Sequence, residues 1–290
     1  MYKFKSKATP YFFLLPCAAL IFTILIYPVT AGMINSFYDE NLLMPMEPTF
    51  IGISNYQSLL GNPMFLGALW RSIIWTITIQ VFSLTIGLFF ALALNGNIFW
   101  KKLLRCLVLI PWVIPNAISG IIWRWFLDGS YGLLNYILRS LGIIQHNLQW
   151  LSTEHLAASA LVSVIIWRSI PFITITLLAG LQAIPMDIYE AAQVDGASRL
   201  RILMHMTLPL LSKIIIITTI LTSIWNFNQF EIIQVITRGG PGEATLTLPV
   251  FIYRLFMQTF QTSIASSAAV IMMIILTIPT IVYVRKILRG

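Results

Sequence analysis

The residues able to do acid–base, nucleophilic or metal chemistry are few and scattered. Three histidines, two cysteines and ten acids are the entire supply in 290 residues. His146 and His155 lie in one polar stretch and His205 in another, none beside a second histidine, cysteine or acid at metal-ligand spacing. Cys17 and Cys106 sit in or at the edge of apolar runs and read as small buried hydrophobes, with no spacing for a disulfide or metal pair. No nucleophile, base and orienting acid fall together, so a catalytic constellation is absent from the pattern. The remaining chemistry is recognition. Arg168 interrupts an otherwise uncharged stretch, and Glu231 closes another. Thr222, Asn226 and Gln229 are spaced four and three apart, which puts a hydroxyl and two amides on one helical face.

These polar groups matter because of what surrounds them. Charged residues are 10% and hydrophobic residues 58% of the chain, and the mean hydropathy is +0.85. A soluble domain carries about 25% charge, and disorder needs low hydrophobicity with high charge. Both classes are excluded, which leaves a polytopic membrane protein. A spanning helix needs about 20 mostly apolar residues. Six such helices are predicted, near 11–31, 70–94, 106–126, 156–180, 213–236 and 263–285. Backbone groups in lipid must bond within their own segment, and no long alternating strands suggest a barrel, so the fold class is all-α. The whole chain, 1–290, reads as one polytopic domain with a core over about 70–285. The first span is longer than a signal-peptide core and is predicted to stay uncleaved.

Orientation follows from the cations. Lys3, Lys5, Lys7, Lys101, Lys102, Arg105, Arg199, Arg201, Lys213, Arg285, Lys286 and Arg289 account for twelve of the 18, all on one side of the predicted spans. Asp39, Glu40, Glu47, Asp128, Glu154 and Glu243 occupy the opposite loops. By the positive-inside rule both termini are cytoplasmic. The net charge of +8 is thus a topology signal rather than a nucleic-acid surface.

The outer loops are 32–69, 127–155 and 237–262. The first is rich in Pro and Gly and reads as a connector. In the second, Leu133, Leu134, Ile137, Leu138 and Leu141 recur at helical spacing, as in a short interfacial helix. Trp70, Trp75, Trp100, Trp112, Trp123, Trp125 and Trp150 mostly fall near span ends and read as an aromatic belt. Pro111, Pro115 and Asn116 break the third span, either as a packing kink or as a bend that lines a cavity. Arg238-Gly239-Gly240-Pro241-Gly242 is predicted to form a tight outer turn, either structural or in contact with a partner.

The inner loop at 181–212 is different. Asp187 can cap a helix with Glu190 in the reciprocal position. Gly196 suits a left-handed helix end, and Ser198 can cap a second helix that runs to about Met206. The first helix is expected to expose Ala191 and Ala192, small residues that admit a closely packed soluble partner; the alternative is a helical hairpin that lies on the bilayer.

A charge at the bilayer centre costs about 2.5–3.5 kcal/mol and needs a reason. Arg168 either pairs with Glu231 or faces the solute path, where its fork suits an anionic or hydroxyl-rich solute. The Thr222, Asn226 and Gln229 stripe either joins helices or, with an aromatic such as Trp167, contacts a sugar.

The inner loop reads Glu190-Ala191-Ala192-Gln193-Val194-Asp195-Gly196, nine further residues, then Met206-Thr207-Leu208-Pro209. This resembles the signature of permease subunits in binding-protein-dependent ABC importers, with Met206 where the pattern has Ile. Trp167-Arg168-Ser169-Ile170-Pro171-Phe172, Leu178 through Pro185, Thr237 through Gly242 with Thr245, Leu248, Pro249 and Tyr253, and Ile118 through Trp123 with Tyr131 through Asn135 are similar to the carbohydrate branch of that family. The resemblance implies a type I ABC importer permease fold, in the first of two permease chains. It implies a coupling helix that docks an ATPase through Glu190, Ala191, Ala192, Asp195, Gly196, Leu208 and Pro209. It implies a substrate path past Trp167, Arg168, Ser169, Phe172, Thr222, Asn226 and Gln229. The chain has no Gly-x-x-x-x-Gly-Lys-[Ser/Thr] sequence, so ATP and magnesium would be bound by two partner ATPase subunits and this chain would not be an enzyme. A second permease chain, a solute-binding protein and membrane lipid complete the implied partners, with no nucleic acid, in a bacterial inner membrane. The solute would be an oligosaccharide, a sugar acid or a glycerol phosphate. The alternative is a carrier driven by an ion gradient, which would need a buried acid or histidine relay and inverted halves.

Overall fold

The computed structural model describes residues 5–41, 44–96 and 99–289; Lys3 lies outside them. The elements run α1 (Lys5–Ile21), a π turn (Phe22–Ile26), α2 (Tyr27–Asn35), β1 (Tyr38–Asn41), β2 (Met44–Phe50), α3 (Ser54–Leu60) and α4 (Pro63–Asn95). Then follow α5 (Lys101–Val113), α6 (Asn116–Phe126), α7 (Leu133–Ser140), α8 (Glu154–Gln182), α9 (Met186–Val194) and α10 (Arg199–Ile202). A second π turn (Leu203–Thr207) leads into α11 (Leu208–Phe227), followed by α12 (Glu231–Ile236), α13 (Leu248–Met257) and α14 (Thr262–Arg289). Among the described residues five helical stretches are long and apolar enough to cross a membrane, and α5 with α6 makes a sixth if the pair is one span.

That pair is not the gently kinked helix that its length suggests. Its two halves meet at 95°. Ile114 leaves the helix in an extended conformation, with ψ 129°. Pro115 follows as the N-cap of α6 and has no N–H to continue the ladder.

The chain divides into two compact units, one of residues 1–66 with 251–290 and the other of residues 67–250. In the first, the loop expected to be a plain connector forms a two-stranded hairpin, with Tyr38 opposite Phe50 and Asn41 opposite Met44. Pro45 and Pro48 argue against a strand by propensity, but they are tolerated where only one neighbour needs ladder bonds. Buried Asn55 on α3 donates to Ser36 O at 3.0 Å and Tyr38 O at 2.8 Å. The start of α14 adds Thr262 Oγ1 to Glu40 O and Ser267 Oγ to Ser36 O, each at 3.0 Å. These bonds satisfy the carbonyl of Ser36 at the end of α2 and those of Tyr38 and Glu40 on β1.

In the second unit α8 is central, with twelve buried positions along it. It packs on α5, α11 and α12. Ile173, Leu177, Leu178 and Leu181 form a core with Ala91, Leu94 and Leu211. On the neighbouring pair, α6 lies so close to α12 that a Cβ at Gly120 would stand 2.9 Å from Val235 Cβ.

The 127–155 loop is folded around one side chain. Asn135, 1% exposed, donates to Asp128 O, Gly129 O and Leu148 O at 3.0–3.3 Å. Its Oδ1 accepts from Leu148 N and Trp150 Nε1. The expected interfacial helix is α7, and Trp150 is part of this knot rather than a free belt residue. The outer turn after α12 is knitted in the same way. Thr237 and Thr245 share a hydrogen bond of 2.7 Å, Thr245 Oγ1 donates to Gly240 O, and Arg71 Nη1 donates to Leu246 O at 2.6 Å. The helix α13 just beyond was not anticipated; Ser72 Oγ accepts from Leu248 N at its first turn.

Candidate substrate cavity and docking loop

A cavity of about 350 Å³ opens between α8, α11 and the α5–α6 break. Two helices line it with the same spacing. Ile165, Arg168, Ser169 and Phe172 come from α8, and Thr222, Trp225, Asn226 and Gln229 from α11 and the turn after it. Steps of three and four keep each set on one helical face. Trp112 at the end of α5 and Asn116 at the start of α6 close the ring.

Six of the seven residues expected on a substrate path therefore meet at one cavity. Trp167 does not. It lies one residue, or about 100° of helix, from Arg168 and instead packs edge-on against Trp123, with centroids 5.3 Å apart. The aromatic surface of the cavity is built from others. Phe172 lies 4.8 Å from Trp225 and 5.9 Å from Trp112. Trp112 is thus a cavity residue and not a belt residue. Trp225 and Asn116 had a visible signal in their phase with Asn226 and in the proline break.

The polar atoms divide into satisfied and unsatisfied. The hydroxyl of Ser169 donates to Asn226 Oδ1 at 3.1 Å. Thr222 reaches the wall, but its one hydroxyl proton is shared between Gln80 Oε1 at 2.8 Å and Thr218 O at 2.7 Å. Gln229 is not on the α11 helix as its spacing implied. The helix stops at Phe227, and Gln229 occupies the turn before α12, still on the cavity. Buried and without a partner are Asn116 Oδ1, Asn226 Nδ2 and Gln229 Nε2, one acceptor and two donors on one cavity wall. A buried polar group left unpaired costs about 1–3 kcal/mol.

Of the two readings of Arg168, the direct pair with Glu231 is not formed. Arg168 Nη1 donates to Pro111 O at 2.9 Å and Ile114 O at 2.6 Å. Glu231 starts α12 and is exposed.

In the inner loop, α9 and α10 form with Gly196 between them at φ +74°. Ser198 caps α10 by accepting from Arg201 N. The cap expected of Asp187 is absent: Pro185 holds the N-cap position and no side chain bonds there. The second helix also does not stop near Met206 but passes through the π turn into α11. Glu190, Ala191, Asp195, Gly196 and Pro209 are exposed and Leu208 is half-buried. Ala192 is only 1% exposed, so it packs inward and only Ala191 presents a small outward face. Met186, Val194 and Leu200 add an exposed apolar surface, with Val194 at 87%.

Comparison with known proteins agrees with this architecture. Residues 83–289 match the family model described as binding-protein-dependent transport system inner membrane component. The chain is 36% identical over 287 residues to the trehalose/maltose transport system permease protein MalF of Thermococcus litoralis, covering 98% of this chain and 95% of that one. It is 34% identical to the sulfoquinovosyl glycerol transport system permease protein of Agrobacterium fabrum, covering 94% and 88%. Among solved structures, a bacterial ABC transporter involved in import of the acidic polysaccharide alginate superposes with a TM-score of 0.82 at 22% identity, over 95% of this chain and 93% of that one. The last likeness bears on the fold, which is that of an ABC importer permease. None of these likenesses supports a carrier driven by an ion gradient. With the family model over residues 83–289 and relatives at full length, the chain belongs to the inner membrane components of binding-protein-dependent transport systems, the multi-pass permeases of ABC transporters.

Proposed function

We propose that this permease carries a sugar or sugar-like solute into the cytoplasm and that the solute passes through the cavity between α8, α11 and the α5–α6 break. The observation that carries the reading is the set of unpaired amide atoms on Asn116, Asn226 and Gln229 beside the Trp112, Phe172 and Trp225 rings. A pyranose offers hydroxyls that both donate and accept, and an apolar ring face. That combination satisfies an orphan acceptor, two orphan donors and an aromatic wall together. The permeases named above, for trehalose and maltose and for a sulfonated sugar glycerol, support the same class.

The energy comes from outside the chain. ATP and magnesium are bound by two partner ATPase subunits, which dock on α9 through Glu190, Ala191, Asp195 and Gly196 and the apolar surface of Met186, Val194 and Leu200. Ala192, Leu208 and Pro209 shape the loop that presents them. A second permease chain completes the pathway, and a solute-binding protein delivers the sugar to the outer side, with both termini of this chain in the cytoplasm. ATP-driven closure of the ATPases moves the docking loops and turns the cavity from inward- to outward-facing, the rigid-body rocking common to alternating access.

The test is ATP-dependent uptake by the assembled complex in vesicles, over a panel of maltose, trehalose, an acidic oligosaccharide, glycerol phosphate and an amino acid. Saturable uptake of a sugar, lost in Gln229→Leu, is expected. Uptake of the amino acid alone would overturn the reading.

A further inference from the structure

Arg168 belongs to α8, yet both of its hydrogen bonds end 54 and 57 residues away, on the broken helix pair. The two carbonyls it reaches are among those that the break strands. In a continuous helix the carbonyl of residue 111 accepts from the N–H of residue 115. Here residue 115 is Pro115, which has no N–H. Ile114, extended at the end of α5, likewise presents its carbonyl at a helix end. Nη1 fills both places, at 2.9 Å to Pro111 O and 2.6 Å to Ile114 O. A cation there also complements the negative end of the α5 dipole.

We propose that Arg168 is a positioning residue: its guanidinium caps the broken end of α5, holds the α5–α6 bend, and so keeps Trp112 and Asn116 on the cavity wall. Trp112 stands three residues before Pro115 and Asn116 directly after it, so both move with the break. Phe172, one turn along α8 from Arg168, packs on Trp112 and makes a second contact between the same two elements. The effect on solute handling rests on the cavity reading above, whereas the cap itself does not. A solute anchor uses the same side chain differently. In that role Arg168 meets the solute, and the position of Asn116 in the empty protein is independent of it.

The experiment uses the full chain in membrane vesicles with its transporter partners and no solute. Cys17→Ser and Cys106→Ser remove the native thiols. Asn116→Cys then reports the break through its rate of alkylation by N-ethylmaleimide, and Ala179→Cys, on an exposed position of α8, reports general loosening. Arg168→Met removes both bonds and is expected to change the Asn116→Cys rate by at least about tenfold, the low end for even one lost hydrogen bond to a charged group, and to leave Ala179→Cys unchanged. Arg168→Lys, which keeps a donor of similar reach, is expected to return the Asn116→Cys rate close to that of the parent. An unchanged Asn116→Cys rate in Arg168→Met overturns the proposal, and so does an equal change at both reporters. If Arg168→Met does not accumulate in the membrane, recovery of accumulation and of the parental rate by Arg168→Lys is expected; failure to recover them overturns it. In a separate arm with maltose or trehalose added, failure of the sugar to slow the alkylation would count against the sugar reading of the cavity and leave the cap in place.

Discussion

The hydroxyl of Ser169 donates to Asn226 Oδ1 at 3.1 Å, and this bond decides which end of the Asn226 amide is left for a ligand. With Oδ1 taken, Nδ2 remains buried and unpaired. The same Ser169 proton is shared with Ile165 O at 2.9 Å, one turn earlier on its own helix. Ser169 therefore brackets α8 and α11 at the cavity wall. Ser169→Ala frees the amide to rotate. Uptake should show a half-saturation concentration raised by roughly tenfold, about the worth of one well-oriented hydrogen bond, with the maximal rate little changed. Asn226→Leu removes donor and acceptor together and should abolish saturable uptake while the complex still assembles. A half-saturation unchanged in both variants would remove Asn226 from the path.

The close approach of α6 to α12 gives a second prediction, on stability. A methyl at Gly120 would lie 2.9 Å from Val235 Cβ and Cγ1, and neither atom is the free end of a flexible side chain. Gly120→Ala should cost about 1–3 kcal/mol, the usual penalty for overpacking. It should be visible as a lower midpoint of thermal inactivation in detergent. Val235→Ala removes one of the two crowded atoms and should recover part of the loss in the double variant. A midpoint equal to the parent's would show that the helices have room that the geometry denies.

The apolar runs made the spans legible, and the residue types of the inner loop made its helix–glycine–helix order legible, because both depend on neighbours in sequence. The errors fall where distant residues decide. Prolines at 111 and 115 announced a break, but its 95° angle is tied to Arg168, which lies in another helix. Trp167 and Trp225 are both tryptophans on membrane helices. Only the rotational phase of each helix, set by packing, sends one to Trp123 and the other to the cavity. Ala192 adjoins Ala191 in a short helix that must turn one side inward, and local composition does not say which. The hairpin at 38–50 was hidden by its prolines, and its register depends on bonds to α3 and α14.

The outer loop carries a pH prediction. Backbone N–H groups of Tyr131 and Ser130 bond the Asp128 carboxylate and hold its pKa below the ordinary 3.8, against an opposing effect of desolvation. The stabilisation is complete above that ordinary value and is lost as the pH falls through the lowered one. Chymotrypsin cleavage at Tyr131 and Tyr136, both well exposed, should therefore be constant from neutral pH down to about 4 in a pH-corrected assay. Asp128→Ala should be cut faster at every pH in that range. Equal cleavage of the two chains at pH 7 would show that the carboxylate does not hold the turn.

The docking loop separates surface chemistry from backbone shape. Val194 is 87% exposed at the end of α9, so Val194→Asp removes apolar contact area for a partner with little effect on this chain's own folding. Gly196 is different. Its φ of +74° is one that side-chain-bearing residues adopt at a cost of roughly 1–2 kcal/mol per residue, and its Cβ would meet nothing within 4 Å. Gly196→Asp therefore acts by redirecting the chain between α9 and α10 rather than by a clash. Both variants should reduce recovery of the ATPase with the permease and reduce ATP-driven uptake. Only Gly196→Asp should also lower the thermal midpoint of the isolated chain. Gly196→Asn, which tolerates the left-handed region, should return that midpoint and most of the association. If Val194→Asp and Gly196→Asp both leave the ATPase bound, then α9 is not the docking element, and the apolar surface of Met186, Val194 and Leu200 must face something other than the ATPase.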